Sequence, residues 1–94
     1  MIRHIVFWKF REGTQAEAEA FLTQLQGLFG IIPELKAVCV RRSAVAGAEY
    51  DAALEADFDS LEALQRYLGD PRHRAVSALC KAIRTDRRSI DIEL

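Results

Sequence analysis

The sequence predicts an α+β fold in which four antiparallel strands carry helices on one face. Three observations carry that expectation: an apolar run rich in β-branched and aromatic residues at the N-terminus, two stretches whose apolar residues recur at helical spacing, and further short runs of alternating character. A chain of 94 residues has the size of one domain, expected to span 1–94, and lies near the lower end of comfortable independent folding.

Residues 2–10 read as the first strand, because the run is too short for a long helix. Ile2, His4, Val6, Trp8 and Phe10 share one face, while Arg3, Ile5, Phe7 and Lys9 share the other. Both faces carry large apolar groups, so both need cover. Thr14-Gln15-Ala16-Glu17 is a capping-box pattern, and Ala18, Phe21, Leu22, Leu25, Leu28 and Phe29 follow at helical spacing. Gly30 is the expected stop, with Pro33 just beyond it. Residues 35–42 read as a second strand with Val38 and Val40 on one face, and 43–49 as a loop rather than a tight hairpin turn.

A third strand follows at 50–58, where Tyr50, Ala52, Leu54, Ala56 and Phe58 alternate with Asp51, Ala53, Glu55 and Asp57. Asp59 and Glu62 open a helix whose inner stripe includes Leu61, Leu64 and Leu68. Gly69 breaks it. Asp70-Pro71 restarts helix at once, since Asp caps orphan amides and Pro suits the first helical position. Val76, Leu79, Cys80 and Ile83 give that segment an inner face, and Ser89 to Ile92 closes the pattern as a strand. The order is βαββαβ, a ferredoxin-like split βαβ arrangement. One sheet face is then uncovered, and Ile5, Phe7, Val38 and Val40 are expected on it. That is more contiguous apolar surface than a monomer usually tolerates. A two-fold homodimer packed sheet face to sheet face is the simplest cover.

Half the residues are hydrophobic, and 13 Lys plus Arg face 14 Asp plus Glu for a net charge of −1. A chain so near neutrality lacks the broad basic field that binds phosphate backbones, so no nucleic-acid partner is expected. The first ten residues carry charge too early for a signal peptide, and no apolar run approaches the ~20 residues that span a bilayer. A cytoplasmic location without a membrane partner is the expectation. Cys39 and Cys80 show neither metal-ligand spacing nor a Cys-x-x-Cys motif, and read as reduced thiols.

Candidates for chemistry are few. His4 lies on the strand face shared with Ile2, Val6 and Trp8, where it reaches the space between sheet and helices; an ordinary hydrogen-bonded core histidine fits the same position. His73 falls in the opening turn after Asp70-Pro71, and Tyr67 can meet it across the helix break. Free amides there disfavour an imidazolium, while the Asp70 carboxylate works the other way. A phenol and an imidazole facing one pocket can polarise a carbonyl and move a proton. A well-capped helix junction explains Asp70 and Pro71 equally well. The two histidines lack companions at ligand spacing, so no metal is expected. Neither a phosphate-cradling glycine loop nor a nucleophile elbow occurs.

His4-Ile5-Val6-Phe7-Trp8-Lys9-Phe10, the Ile32-Pro33-x-Leu35 turn and Tyr67-x-x-Asp70-Pro71-x-His73 together resemble the stress-responsive A/B barrel domain family, Dabb, over essentially the whole chain. The resemblance implies a dimeric α/β barrel. The family includes cofactor-free polyketide cyclases of the olivetolic acid type, which close a ring by aldol condensation, and several members are linked to stress responses. By that resemblance Tyr67 and His73 match the catalytic tyrosine and histidine, and His4 a supporting histidine. Another pocket histidine of those cyclases falls at Ala52, and the histidine before their proline is Asp70 here. The resemblance thus implies a homodimer binding a small apolar ligand between sheet and helices. A cofactor-free lyase, cyclase or isomerase is the alternative, and a monooxygenase of the antibiotic-biosynthesis type a third possibility.

Overall fold

Residues 1–94 are described by a computed structural model. Strands β1 (Ile2–Phe10), β2 (Ala37–Arg42), β3 (Ala52–Phe58) and β4 (Arg84–Glu93) combine with helices α1 (Gln15–Gln26), α2 (Leu61–Gly69) and α3 (Pro71–Ile83). The sheet runs β2-β3-β1-β4, and every neighbouring pair is antiparallel. This is the ferredoxin-like βαββαβ fold, its second helical segment divided in two.

Alternation along β1 decides which face is covered. Ile2, His4, Val6 and Trp8 are each no more than 5% exposed, whereas Phe7 is 41% exposed. Facing residues on paired strands share a face, so the register His4–Ala56 and Val6–Leu54 brings buried Ala52, Leu54, Ala56 and Phe58 to the same side. Phe21 and Leu25 of α1, Leu64 and Tyr67 of α2, and Val76 and Cys80 of α3 pack onto them in one cluster. Each large apolar side chain buried there contributes roughly 1.5–3 kcal/mol. Trp8 meets the Phe21 ring edge to face at 5.2 Å, which pins α1 over the strand.

Several expectations need correction. Val38 and Val40 lie under the helices, not on the open face, because β2 pairs them with Ala56 and Leu54 and both pack against the core. That parity leaves Arg41 in water, where its charge costs nothing to keep. The open face therefore carries Ile5, Phe7, Ile90 and Ile92 with Cys39 and Ala53, and is crossed by an Arg3–Asp57 ion pair at 2.8 Å. Tyr50 precedes β3 and lays its ring on Phe7, centroids 5.8 Å apart, instead of joining the buried parity.

Thr14 stands at the start of α1, but its hydroxyl donates to the Arg11 carbonyl, so the capping box does not form. The helix stops at Gln26, and the chain then turns through Gly30 at φ +85°, a conformation that favours glycine. Ser60, not Asp59, caps α2 by accepting the Ala63 amide at 3.1 Å. Phe29, Leu61 and Leu79 remain exposed, outside the buried stripes. β2 begins at Ala37, two residues later than expected, and β4 begins at Arg84 directly after α3, five residues earlier.

Candidate functional site

A cavity of about 40 Å³ lies between the sheet and the helices, and His4, Tyr67 and His73 all line it. Space of that size holds roughly three water-sized groups, at ~10–15 Å³ each. Its apolar wall is Val6, Trp8, Phe21, Leu25 and Leu54; its polar wall adds Ser77, Cys80, Arg84 and Arg87.

The helix junction builds half of the site. Asp70 ends α2, its amide donating to the Tyr67 carbonyl at 3.2 Å, and begins α3, its carboxylate accepting the Arg72 amide at 2.8 Å. The Arg72 guanidinium folds onto the same carboxylate and holds its pKa down, at about 2. With only that residue between helices, Tyr67 and His73 face each other, ring centroids 4.4 Å apart and tilted by 49°.

Hydrogen bonds assign the proton on each ring. His73 Nδ1 lies 3.3 Å from the Leu68 carbonyl, which can only accept, so Nδ1 carries the hydrogen and Nε2 keeps its lone pair. Burial lowers the His73 pKa below its ordinary 6.5, against the Leu68 carbonyl and Asp70, and nearby His4 and Arg87 add to the lowering. The ring is therefore mainly neutral at pH 7 and can accept a proton. Burial pushes the Tyr67 phenol well above its ordinary range, so it keeps its hydrogen. Its hydroxyl has no hydrogen-bond partner in the protein, yet no side-chain polar atom is both sealed and unpartnered; the hydroxyl opens into the cavity it lines.

The other half comes from β1 and β4. Asp91 sits directly opposite His4 in the strand register, and its carboxylate accepts from His4 Nδ1 at 2.5 Å. This orients the imidazole with Nε2 as the remaining ring nitrogen. The arrangement can thus accept a proton at His73, donate one from Tyr67, and hold a second imidazole backed by a carboxylate. No cluster of three or more His, Cys, Asp or Glu side chains is arranged to hold a metal ion. Cys39 and Cys80 are both free. No helix is long and apolar enough to cross a membrane.

The three residues singled out from sequence meet at one cavity, whereas Asp91, Arg84 and Arg87 were not anticipated. Their signal was the parity of β4: Arg87, Ser89 and Asp91 fall opposite the buried Trp8, Val6 and His4. A polar parity on a strand that faces helices marks a polar site.

The family model for the stress responsive A/B barrel domain, Dabb, matches residues 2–94. The chain belongs to the Dabb family. A dimeric ferredoxin-like protein of unknown function from Thermobifida fusca is 32% identical, with 99% of this chain and 90% of that one covered at a TM-score of 0.87. A Dabb family protein from Mesorhizobium loti is 21% identical, with 99% and 95% covered at 0.82. The hydroxynitrile lyase of Passiflora edulis is 17% identical, with 99% and 92% covered at 0.85, a likeness of fold. No curated protein matches. Within this Dabb chain, Ala52 lies buried opposite Trp8 and brings no polar group to the cavity.

Proposed function

We propose that this Dabb protein acts as one domain over residues 1–94, forms a homodimer through its open sheet face, and moves a proton on a small carbonyl compound without a cofactor. The observation that carries the reading is the ring-to-ring contact of His73, its proton fixed on Nδ1, with buried Tyr67, whose hydroxyl is unpartnered and shares one cavity with it. His73 Nε2 takes the proton from the carbon beside the carbonyl. The electron pair of that C–H bond moves into an enolate, whose oxygen receives a hydrogen bond or proton from Tyr67. Return of the proton from His73 to the same carbon gives exchange, and return to a different carbon isomerises the compound. Attack of the enolate carbon on a second carbonyl gives an alkoxide that takes the proton back from His73, the condensation that a lyase runs in reverse.

The apolar wall of Val6, Trp8, Phe21, Leu25 and Leu54 receives the carbon part of the ligand. A cavity of about 40 Å³ favours a substrate of few heavy atoms over a long polyketone. The Passiflora relative is a lyase by name, which supports the reaction class only as an analogy of fold. Dimerisation rests on exposed Phe7, Ile90 and Ile92 on one face and on the dimeric description of the Thermobifida relative. Two free thiols accord with a reducing, cytoplasmic setting.

The test follows deuterium exchange at the α-carbons of 2-butanone by NMR in D₂O. The wild-type protein should accelerate exchange, and His73→Ala should lose that acceleration by a factor on the order of 10²–10⁴ while keeping its fold. Tyr67→Phe should slow exchange with little change in ketone affinity. Exchange no faster than in buffer, or undiminished in His73→Ala, overturns the reading.

A further inference from the structure

The cavity has a charge that the proton-transfer pair does not use. Arg3, Arg42, Arg66, Arg72 and Arg88 each engage a carboxylate, and Arg11, Arg41 and Arg74 extend into water. Arg84 and Arg87 do neither. Both are half-buried and both line the cavity, and no carboxylate oxygen lies within 4.0 Å of either guanidinium; only the Arg87 backbone amide meets one, Asp86 Oδ1 at 2.9 Å. Arg87 Nη1 reaches only the Ser89 hydroxyl, at 3.3 Å, which leaves most of its five donors free.

Two guanidiniums held near each other in a partly desolvated wall repel, and that cost is relieved when an anion sits between them. Asp91, the carboxylate on the same strand face as Arg87, is already engaged by His4, and Asp86 turns to Tyr50 and Arg88. Around the cavity two cations therefore stand against one committed carboxylate, an excess of one positive charge. Backbone geometry fixes their place, because α3 passes into β4 without a connecting residue and Arg87 faces Trp8 in the register.

We infer that the cavity selects a small carbonyl acid, whose carboxylate is held by Arg87 and Arg84 and whose carbonyl faces Tyr67 and His73. This rests on the reading of the cavity as a proton-transfer site and adds the substrate class. A planar carboxylate is the group that a guanidinium fork recognises with two parallel hydrogen bonds. The same two cations lower the cost of gathering negative charge on an enolate beside them.

Pyruvate and pyruvamide test this, since they differ in charge and hardly in shape. Binding to the full chain is followed by amide chemical-shift changes at β1 and α3, apart from any turnover. Pyruvate should bind at least about 10-fold more tightly than pyruvamide, the scale of one charge-assisted hydrogen bond. Arg87→Gln should reduce that preference to within about 2-fold, and Arg87→Lys, which keeps the charge and loses the fork, should retain part of it. Arg84→Gln should weaken pyruvate and leave pyruvamide unchanged. Equal binding of the two ligands by wild type overturns the inference, as does an undiminished preference in Arg87→Gln. If Arg87→Gln does not fold, loss of the preference in Arg84→Gln supports the inference and its persistence overturns it. Because the assay reads binding, exchange of 2-butanone without a pyruvate preference removes this inference alone. A pyruvate preference without exchange of either ligand removes only the proton-transfer reading.

Discussion

The two faces of the sheet are made from the same strands and differ in what their side chains are for. Under the helices, Val6, Leu54, Ala56 and Phe58 are close to fully buried, and the polar residues His4, Arg87 and Asp91 gather at the β1–β4 side around the cavity. On the open side, Phe7, Ile90 and Ile92 stand exposed beside a solvent-accessible Arg3–Asp57–Glu55 ion cluster. The covered face thus stabilises one chain and sets aside a small polar corner. The open face offers one chain little, and its apolar residues make sense against a second copy.

The sharpest contrast is between two phenylalanines. Phe58→Ala, beneath α2, should cost about 3–5 kcal/mol of folding stability by urea denaturation, through lost burial and a cavity. Phe7→Asp should leave the isolated fold within about 1 kcal/mol and raise the dimer dissociation constant at least about 30-fold by analytical ultracentrifugation. A wild-type monomer at micromolar concentration, or a Phe7→Asp protein as unstable as Phe58→Ala, breaks the contrast.

Acid should separate His73 from the paired carboxylates next. His73 has a folded pKa below 6.5, so the unfolded chain binds its proton more readily. Its contribution is whole above about pH 6.5 and is lost as pH falls from there through the folded value. Asp57, lowered chiefly by its hydrogen bond to Arg3, and Asp70, held at about 2 by Arg72, contribute fully above 3.8 and lose that contribution only on further acidification. Urea midpoints from pH 8 to pH 3 should show both limbs, and His73→Gln should flatten the upper one alone. An unchanged upper limb in His73→Gln would remove His73 from the effect.

The smallest effect belongs to the open-face ion pair. Arg3 and Asp57 meet in two hydrogen bonds, at 2.8 and 3.0 Å, but the Arg3 side chain is 36% exposed. A double-mutant cycle with Arg3→Met and Asp57→Asn should therefore give about 0.2–1 kcal/mol in the monomeric Phe7→Asp background. A larger coupling would mean that the open face is stabilised within one chain.

These contrasts also show what can be read from sequence. The βαββαβ order along the chain, the helix break at Gly69 and the meeting of Tyr67 with His73 were legible, because periodicity, a capping residue and a proline act locally. The face of Val38 and Val40 was not, since a short strand's parity is fixed by its partner; the weaker cue was that the alternative buries Arg41. Asp91 escaped because it meets His4 across 87 residues, and Arg84 and Arg87 because charged residues on a terminal strand read as solvated. Phe29, Leu61 and Leu79 were over-read, since helical spacing cannot say how wide the buried stripe is.

The single residue between α2 and α3 leaves this junction no slack for insertions or deletions. In an α-helix one added residue turns everything beyond it by about 100° and advances it by about 1.5 Å. An insertion inside α2, past its cap, would swing Tyr67 off the cavity while His73 stayed with α3, and one inside α3 would misdirect His73 and the start of β4 together. The nine-residue stretch from Ser43 to Asp51, which joins β2 to β3, carries none of these three residues and can change length without moving them. Length variation among sequences that keep this site should therefore collect at that far loop and stop short of the helix elbow.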